Sequence, residues 1–69
     1  MKIKFIFIGF GKREETLEIN EKKRYSEILE EILKINPETV VLVKDSMPVP
    51  IDDFAEEGEV TVIRVISGG

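Results

Sequence analysis

The chain begins with polar and apolar residues in alternation, from Lys2 to Phe5, and the next three residues are all apolar. Lys2–Ile8 is rich in β-branched and aromatic residues, which is typical of a strand near the middle of a sheet. A glycine-containing segment, Gly9–Lys12, follows, and the alternation resumes from Glu14 to Ile19. Two such segments around a short loop predict a β-hairpin.

The next segment, from Tyr25 to Ile35, has helical periodicity. Its apolar residues recur at the spacing of one helix face and comprise Ile28, Leu29, Ile32, Leu33 and Ile35. We expect the helix to end before Asn36-Pro37, because the residue preceding a proline is disfavoured in the α conformation. The start stays open between Ser26 as the capping residue and an earlier turn at Arg24.

The rest of the chain contains further extended segments. The predicted elements are a third strand at Thr39–Val43, a turn at Asp45-Ser46, a short edge strand around Pro48-Val49-Pro50, a crossover with a turn of 3₁₀ or irregular helix at Ile51–Glu57, and a last strand at Glu59–Ile66. Prolines are tolerated at the edge of a sheet but not inside it. We therefore predict a two-layer α+β domain over residues 1–66, in which one helix packs on one face of a mixed four- to five-stranded sheet. Residues 67–69 are expected to form a flexible tail.

Composition narrows the chemistry of this chain. It has 69 residues with no cysteine and no histidine, so disulfides are excluded, and no metal site is expected. The commonest nucleophile and the commonest general base are also missing, and the serines and the tyrosine form no recognisable catalytic arrangement. We therefore expect that this protein is not an enzyme. The acidic pairs Asp52-Asp53 and Glu56-Glu57 lack the spacing of a calcium loop and are interpreted as a solvated loop.

Charge and hydropathy limit which classes of binding partner are expected. The net charge is −4, and the one dense basic segment, Lys22–Arg24, follows Glu21, so no nucleic-acid partner is expected. An acidic protein is better suited to a basic protein partner. No apolar run reaches the length of a membrane span and no signal peptide is visible, so we expect a cytoplasmic monomer without a membrane partner.

The order of the elements and the end of the sequence together carry a resemblance. A β-hairpin, one helix, an edge strand and a last strand that runs directly into Gly68-Gly69 resemble the ubiquitin-like, or β-grasp, family. The segment Val65–Gly69 is similar to the tails of the thiamine-pathway (ThiS) and molybdopterin-pathway (MoaD) sulfur carriers, of archaeal small modifier proteins and of the ubiquitin-related modifier. Pro48-Val49-Pro50 after the Asp45-Ser46 turn also resembles ThiS-type proteins, although their usual Asn-Gly turn is absent here.

The resemblance implies a function for the tail. An ATP-dependent adenylating enzyme of the ubiquitin-activating type would form an acyl-adenylate at Gly69, while the chain itself would bind no cofactor. Sulfur would then replace AMP to give a thiocarboxylate for thiamine, molybdopterin or tRNA thiolation, together with a sulfur donor or acceptor enzyme. The alternative is conjugation to lysines of target proteins, and a second alternative is a binding module with an inert tail. Residues without a Cβ, Gly68 and Gly69, let the backbone pass a narrow channel, and Ser67 is interpreted as a spacer.

The topology of that family also implies a docking face. It places the last strand beside the first and the third strand next to the last, so one set of side chains faces away from the helix. That outer set comprises Ile6, Ile8, Val41, Val43, Ile63 and Val65. Exposed apolar patches of this kind usually mark protein interfaces, although β-branched residues are also ordinary strand formers. The fit of Arg64 to this register stays open.

Overall fold

The computed structural model describes residues 1–11 and 13–65 of the 69-residue chain. Within these ranges the strands are β1 Lys2–Ile8, β2 Glu14–Glu18, β3 Val40–Lys44, β4 Met47–Val49 and β5 Gly58–Arg64. They form one five-stranded sheet in the order β2-β1-β5-β3-β4. With one helical segment between β2 and β3, this architecture confirms the predicted α+β, β-grasp fold. The division into a domain at 1–66 and a tail at 67–69 stays a prediction, because residues 66–69 lie outside the described ranges.

The sheet is mixed because its two central strands run in the same direction. β1 pairs in parallel with β5 and antiparallel with β2, whereas β5 pairs antiparallel with β3. β1 therefore lies inside the sheet, between β2 and β5, as its sequence predicted. The short edge strand β4 pairs with β3 through a tight turn in which Asp45 has φ 52° and Ser46 has φ 65°. Positive φ at both central residues is the geometry that the twist of a two-residue hairpin requires.

The helix differs from its prediction. It has an α-helical part, Tyr25–Glu27, and a π-helical part, Ile28–Ile32, which we together call α1. Arg24 is the residue before the helix, and its backbone N–H donates to the Glu27 carboxylate at 2.8 Å. Of the two starts left open, the earlier one is therefore correct.

The predicted end of the helix at residue 35 is wrong. The N–H of Leu33 donates to the Ile28 carbonyl at 3.0 Å, and Lys34 then adopts φ 59°, which stops the helix before the proline acts. Asn36 instead begins a short 3₁₀ turn, Pro37–Thr39, by accepting the N–H of Glu38 at 3.0 Å.

The π-helical turn also changes which helix residues are buried. A π-helical turn contains more residues than an α-helical turn, so each side chain along it is rotated less about the helix axis. Leu33 therefore lies in the core with Ile28, whereas Ile32 is 42% exposed. The expectation that Ile32 belongs to the buried stripe is wrong for this reason.

The core lies between α1 and one face of the sheet. Its fully buried side chains are Ile3, Phe5, Tyr25, Ile28, Leu29, Leu42, Val60 and Val62. Alternate residues of β1, β3 and β5 contribute to the core, as the period of a strand requires. On β3 and β5 the buried residues are Val40, Leu42, Val60 and Val62, which alternate with the residues predicted to face outward.

The crossover between β4 and β5 secures the start of α1. Residues 51–57 begin with a single hydrogen-bonded turn of the 3₁₀ type, in which the N–H of Asp53 donates to the Pro50 carbonyl at 3.1 Å, and the rest of the segment is irregular. The N–H groups of Tyr25 and Ser26 donate to the carbonyls of Asp53 at 3.0 Å and Ile51 at 2.8 Å. In return, the buried Tyr25 hydroxyl accepts the N–H of Glu56 at 3.2 Å. Groups at the helix start that α1 leaves without an internal partner are thereby satisfied.

Candidate functional site: the outer face of the sheet

The face of the sheet opposite α1 carries the predicted docking residues. Side chains alternate between the two faces of each strand, so the positions between the core residues point away from the helix. Ile8, Val41 and Val65 are 51%, 40% and 45% exposed. Ile6, Val43 and Ile63 are partly exposed. Five of the six residues lie on the outer side of the sheet and Val65 follows the end of β5, while the role of all six as a docking face stays a prediction.

The strand register brings these side chains together in two rows. Ile63 lies opposite Ile8 on one side and opposite Val41 on the other. The next row has Thr61 at its centre, between Ile6 and Val43. Thr61 was not predicted, because its side chain is polar, but the register places it between two aliphatic neighbours. We call these residues, with Val65, the apolar half of the outer face.

The other half of the outer face is charged. Lys4 lies beside Glu14 with 3.6 Å between Nζ and the carboxylate, and the N-terminal ammonium of Met1 is 2.9 Å from Glu18. Hydrogen bonding to this ammonium lowers the pKa of Glu18. The face is therefore divided along the strands, and its apolar half lies where β1 and β5 end.

The end of β5 is anchored from two sides. Arg64 pairs with Val40, so it keeps the register of the inward-facing residues, and its guanidinium lies 5.9 Å from the centre of the Phe10 ring. The N–H of Val65 donates to the Thr39 carbonyl at 2.9 Å. The register at Arg64 is thus resolved: β5 continues to its end without a slip, and the side chain lies over the ring of a neighbouring loop.

The loop between β1 and β2 supports this end of the strand. Phe10 packs edge-on against Phe7, with 5.4 Å between ring centres. Gly9 has φ 91°, and a Cβ there would lie 3.1 Å from the Cβ of Arg64, so this close approach requires glycine. No pattern in the sequence signals the contact, because it joins residues more than 50 positions apart in the chain.

The tail itself lies beyond what the structure describes. The predicted activation at Gly69, with Gly68 and Ser67, concerns residues outside the described ranges. Among the described residues, no group of three or more acidic side chains converges as a metal site. In the same part of the chain no helix is long and apolar enough to cross a membrane.

Comparison with known proteins decides the family. A sequence profile of the family described as small archaeal modifier protein 2 matches residues 1–66. The chain belongs to this family. The chain is also 64% identical to an uncharacterized protein of Archaeoglobus fulgidus over 69 residues, which cover the whole of both chains. Membership of the small archaeal modifier family confirms the ubiquitin-like resemblance, and the apolar half of the outer face lies entirely within the matched range.

Proposed function

We propose that this chain is a protein modifier that is joined to lysine side chains of target proteins through the carboxyl group of Gly69. Family membership supports the general role of a ubiquitin-like modifier. The preference for lysine conjugation over sulfur transfer rests on the description of this family as modifier proteins. Recognition by an activating enzyme is supported by the position of the apolar half, which adjoins the end of β5, the strand that precedes Gly68-Gly69 in the sequence.

The chemistry requires a partner enzyme. A carboxylate oxygen is a poor leaving group, so the Gly69 carboxylate must first attack the α-phosphate of ATP, which releases pyrophosphate and forms an acyl-adenylate. A lysine amine then attacks the acyl carbon, AMP leaves, and the amine loses a proton as the isopeptide forms. In this scheme the adenylating enzyme provides the catalytic groups, while the modifier provides the reacting carboxylate and a surface to be recognised.

The apolar half is the proposed recognition surface. Its side chains gain little from burial within the modifier, because several of them remain about half exposed. An enzyme that covers them removes apolar area from water, which stabilises the complex by roughly 25 cal/mol for each Å². Because this surface adjoins the end of β5, one enzyme is able to contact it and hold the tail in its nucleotide pocket at the same time.

A second candidate function is that of a sulfur carrier. It is favoured by the similarity of Val65–Gly69 to the tails of ThiS and MoaD sulfur carriers. The first step is the same acyl-adenylate, but a sulfur donor displaces AMP and leaves a thiocarboxylate. An inert β-grasp module is the third alternative.

The test is a reconstitution with an adenylating enzyme from the source organism. With ATP and lysine-bearing target proteins, we expect intact-mass spectra to show conjugates that disappear when Gly69 is deleted. The Gly69 deletion should melt at nearly the same temperature as the full chain, because a tail beyond the last strand packs little. Replacement of one oxygen by sulfur without conjugates would favour the carrier, and neither product would leave the inert module.

The docking role of the outer face is tested by adding a charge. Ile63→Glu is expected to weaken binding to the adenylating enzyme about tenfold or more, because it buries an unpaired charge in the complex. Thr16→Glu is the matched control, because it adds the same charge to the charged side of the outer face on the exposed strand β2. Equal binding by Ile63→Glu and the control would contradict the proposal, as would a much larger loss of folding than of binding.

A further inference from the structure

Among the residues that the structure describes, no strand pairs with the outer edge of β2. β2 stands at one end of the strand order, next to β1 alone. Met1 and Ile19 exchange two backbone hydrogen bonds, at 2.8 and 2.9 Å, and the N–H of Phe7 donates to the Arg13 carbonyl at 2.7 Å.

The antiparallel register then fixes which backbone groups point outward. Pairs that exchange hydrogen bonds alternate along an antiparallel ladder, so residues 13, 15, 17 and 19 point toward β1. The N–H and carbonyl groups of Glu14, Thr16 and Glu18 consequently point away from the sheet. This is the arrangement that an added strand recognises.

An apolar contact lies beside this edge. A shallow groove between the end of β2 and α1 is lined by Glu18, Ile19, Asn20, Glu21, Lys23 and Ile32. Ile32 is 42% exposed there because the π-helical turn moves it out of the core. A side chain on the helix side of an added strand would therefore meet apolar surface.

The charge along this edge selects the partner. Residues 14–21 contain four acidic side chains and no basic one: Glu14, Glu15, Glu18 and Glu21. Three cations already neighbour these carboxylates: Lys4 lies 3.6 Å from Glu14, the N-terminal ammonium 2.9 Å from Glu18, and Lys23 3.8 Å from Glu21. Such exposed ion pairs contribute little, so an incoming cation can replace them at small cost.

The same charges disfavour pairing between two copies of this chain. A two-fold arrangement around Thr16 would place Glu14 of one copy opposite Glu18 of the other. Like charges directly opposed across two strands are destabilising, and charged edges are a common protection against self-association. A second copy is therefore a poor occupant, and a cationic strand is a good one.

We infer that the outer edge of β2 binds an extended segment of another protein in which lysine or arginine alternates with apolar residues. The segment adds to the sheet as a strand next to β2. Its basic side chains meet Glu14 and Glu18 on the outer face, and its apolar side chains meet Ile32 on the helix side. This surface is distinct from the apolar half of the outer face, so both can be occupied together.

The test uses a short capped peptide that alternates lysine and valine, titrated into the isotope-labelled full chain. We expect the amide signals of Glu14, Thr16 and Glu18 to shift and their hydrogens to become protected from exchange. A peptide that alternates glutamate and valine should not bind, and added salt should weaken binding of the lysine peptide.

Two variants separate strand addition from general charge attraction. Thr16→Pro removes the outward N–H while leaving the bonds to β1, and we expect it to weaken peptide binding about tenfold. Thr16→Val, which keeps the N–H, should bind like the unmodified chain. Equal binding by Thr16→Pro and Thr16→Val would overturn strand addition.

Charge reversal provides a variant that does not depend on proline. Glu14→Lys combined with Glu18→Lys should weaken binding of the lysine peptide about tenfold and allow the glutamate peptide to bind. Glu30→Lys combined with Glu38→Lys changes the net charge equally at exposed sites away from β2. The inference would be overturned if this control weakened binding equally. It would also be overturned by peptide-induced shifts centred on Ile63, or by a stable dimer of the free chain.

Discussion

At the scale of single residues, a few backbone conformations determine which side chains are tolerated. Gly58 begins β5 with φ 121°, a region that residues with a Cβ rarely enter. Its open side is also occupied, because the Lys44 ammonium passes 3.5 Å from the position of an added Cβ and donates to the Glu57 carbonyl at 2.9 Å. The backbone conformation at this position therefore requires glycine.

Replacing this glycine should destabilise the protein. We expect Gly58→Ala to lower the free energy of unfolding by about 1–2 kcal/mol, because an alanine must adopt a left-handed conformation there. Gly11→Ala is the matched control, since a Cβ at Gly11 would meet no atom within 4 Å, and its effect should stay within about 0.5 kcal/mol. Urea denaturation of both variants measures the difference, and equal stabilities would contradict the argument.

The ion pair at the start of the chain predicts a dependence on pH. The N-terminal ammonium hydrogen-bonds Glu18 and lowers its pKa below the ordinary value of 4.5. A lowered carboxyl pKa contributes stability above the ordinary value, and this contribution is lost as the pH falls through the pKa of the folded state. Glu18→Gln should therefore lower the melting temperature near neutral pH, and the two melting curves should converge in acid below that ordinary value.

Glu59→Gln is the control for this prediction, since it removes one carboxylate from another exposed position of the sheet. A difference between Glu18→Gln and the unmodified chain that persists unchanged in acid would show that the ion pair is not its source. High salt should reduce the difference at neutral pH, because both groups are exposed.

At the scale of elements, the helix shows how one backbone detail reassigns neighbouring side chains. A regular α-helix would place Ile32 below Ile28, at a separation of four residues. The hydrogen bond from Leu33 to Ile28 spans five residues, so Leu33 takes the buried position and Ile32 turns toward the groove beside β2.

This reassignment gives opposite expectations for two adjacent residues. Leu33→Ala should lower the free energy of unfolding by about 2–4 kcal/mol, because it leaves a cavity in the core. Ile32→Ala should cost about 1 kcal/mol or less, because its side chain is already 42% exposed. Chemical denaturation of the pair is decisive, and a larger loss for Ile32→Ala would mean that α1 follows the regular helical period in solution.

At the scale of the whole molecule, the two faces of the sheet differ in how much apolar surface they bury. One face packs on α1 and is closed to water, while the other exposes aliphatic side chains where β1 and β5 end. The outer aliphatic side chains add little to the stability of the fold, and the proposed function assigns them to recognition by a partner enzyme.

Two valines on opposite faces test this separation. Val62 is fully buried and Val41 is 40% exposed, although the two residues lie on neighbouring strands. Val62→Ala should cost about 2 kcal/mol of stability. Val41→Ala should cost about 0.5 kcal/mol or less and yet slow conjugation by the adenylating enzyme.

Conjugation rates of both variants, compared at a temperature where each is folded, check the second half of this prediction. A rate reduced only by Val62→Ala would show that folding, rather than the outer face, controls recognition. An unchanged rate for Val41→Ala would remove that residue from the docking surface.

Alternation in the strands and the order of elements were sufficient to predict the fold. Residues 2–5 alternate between polar and apolar, and continuing this period of two through the apolar residues 6–8 separates the core residues from the outer ones, as the structure shows. The family topology then placed the last strand between the first and the third, and in the strand register Ile63 lies between Ile8 and Val41. Local patterns determine these features because a one-residue shift would move every apolar side chain to the wrong face.

The sequence by itself thus determined the strands, their faces and the general position of the helix. Only the tertiary structure decided where the helix ends, which of Ile32 and Leu33 is buried, and how Gly9 and Phe10 receive Arg64 at the end of β5. These features depend on contacts between residues distant in the chain and on small departures from regular helical spacing. A periodic pattern averages over such departures, and it contains no information about which distant residue will pack against a given side chain.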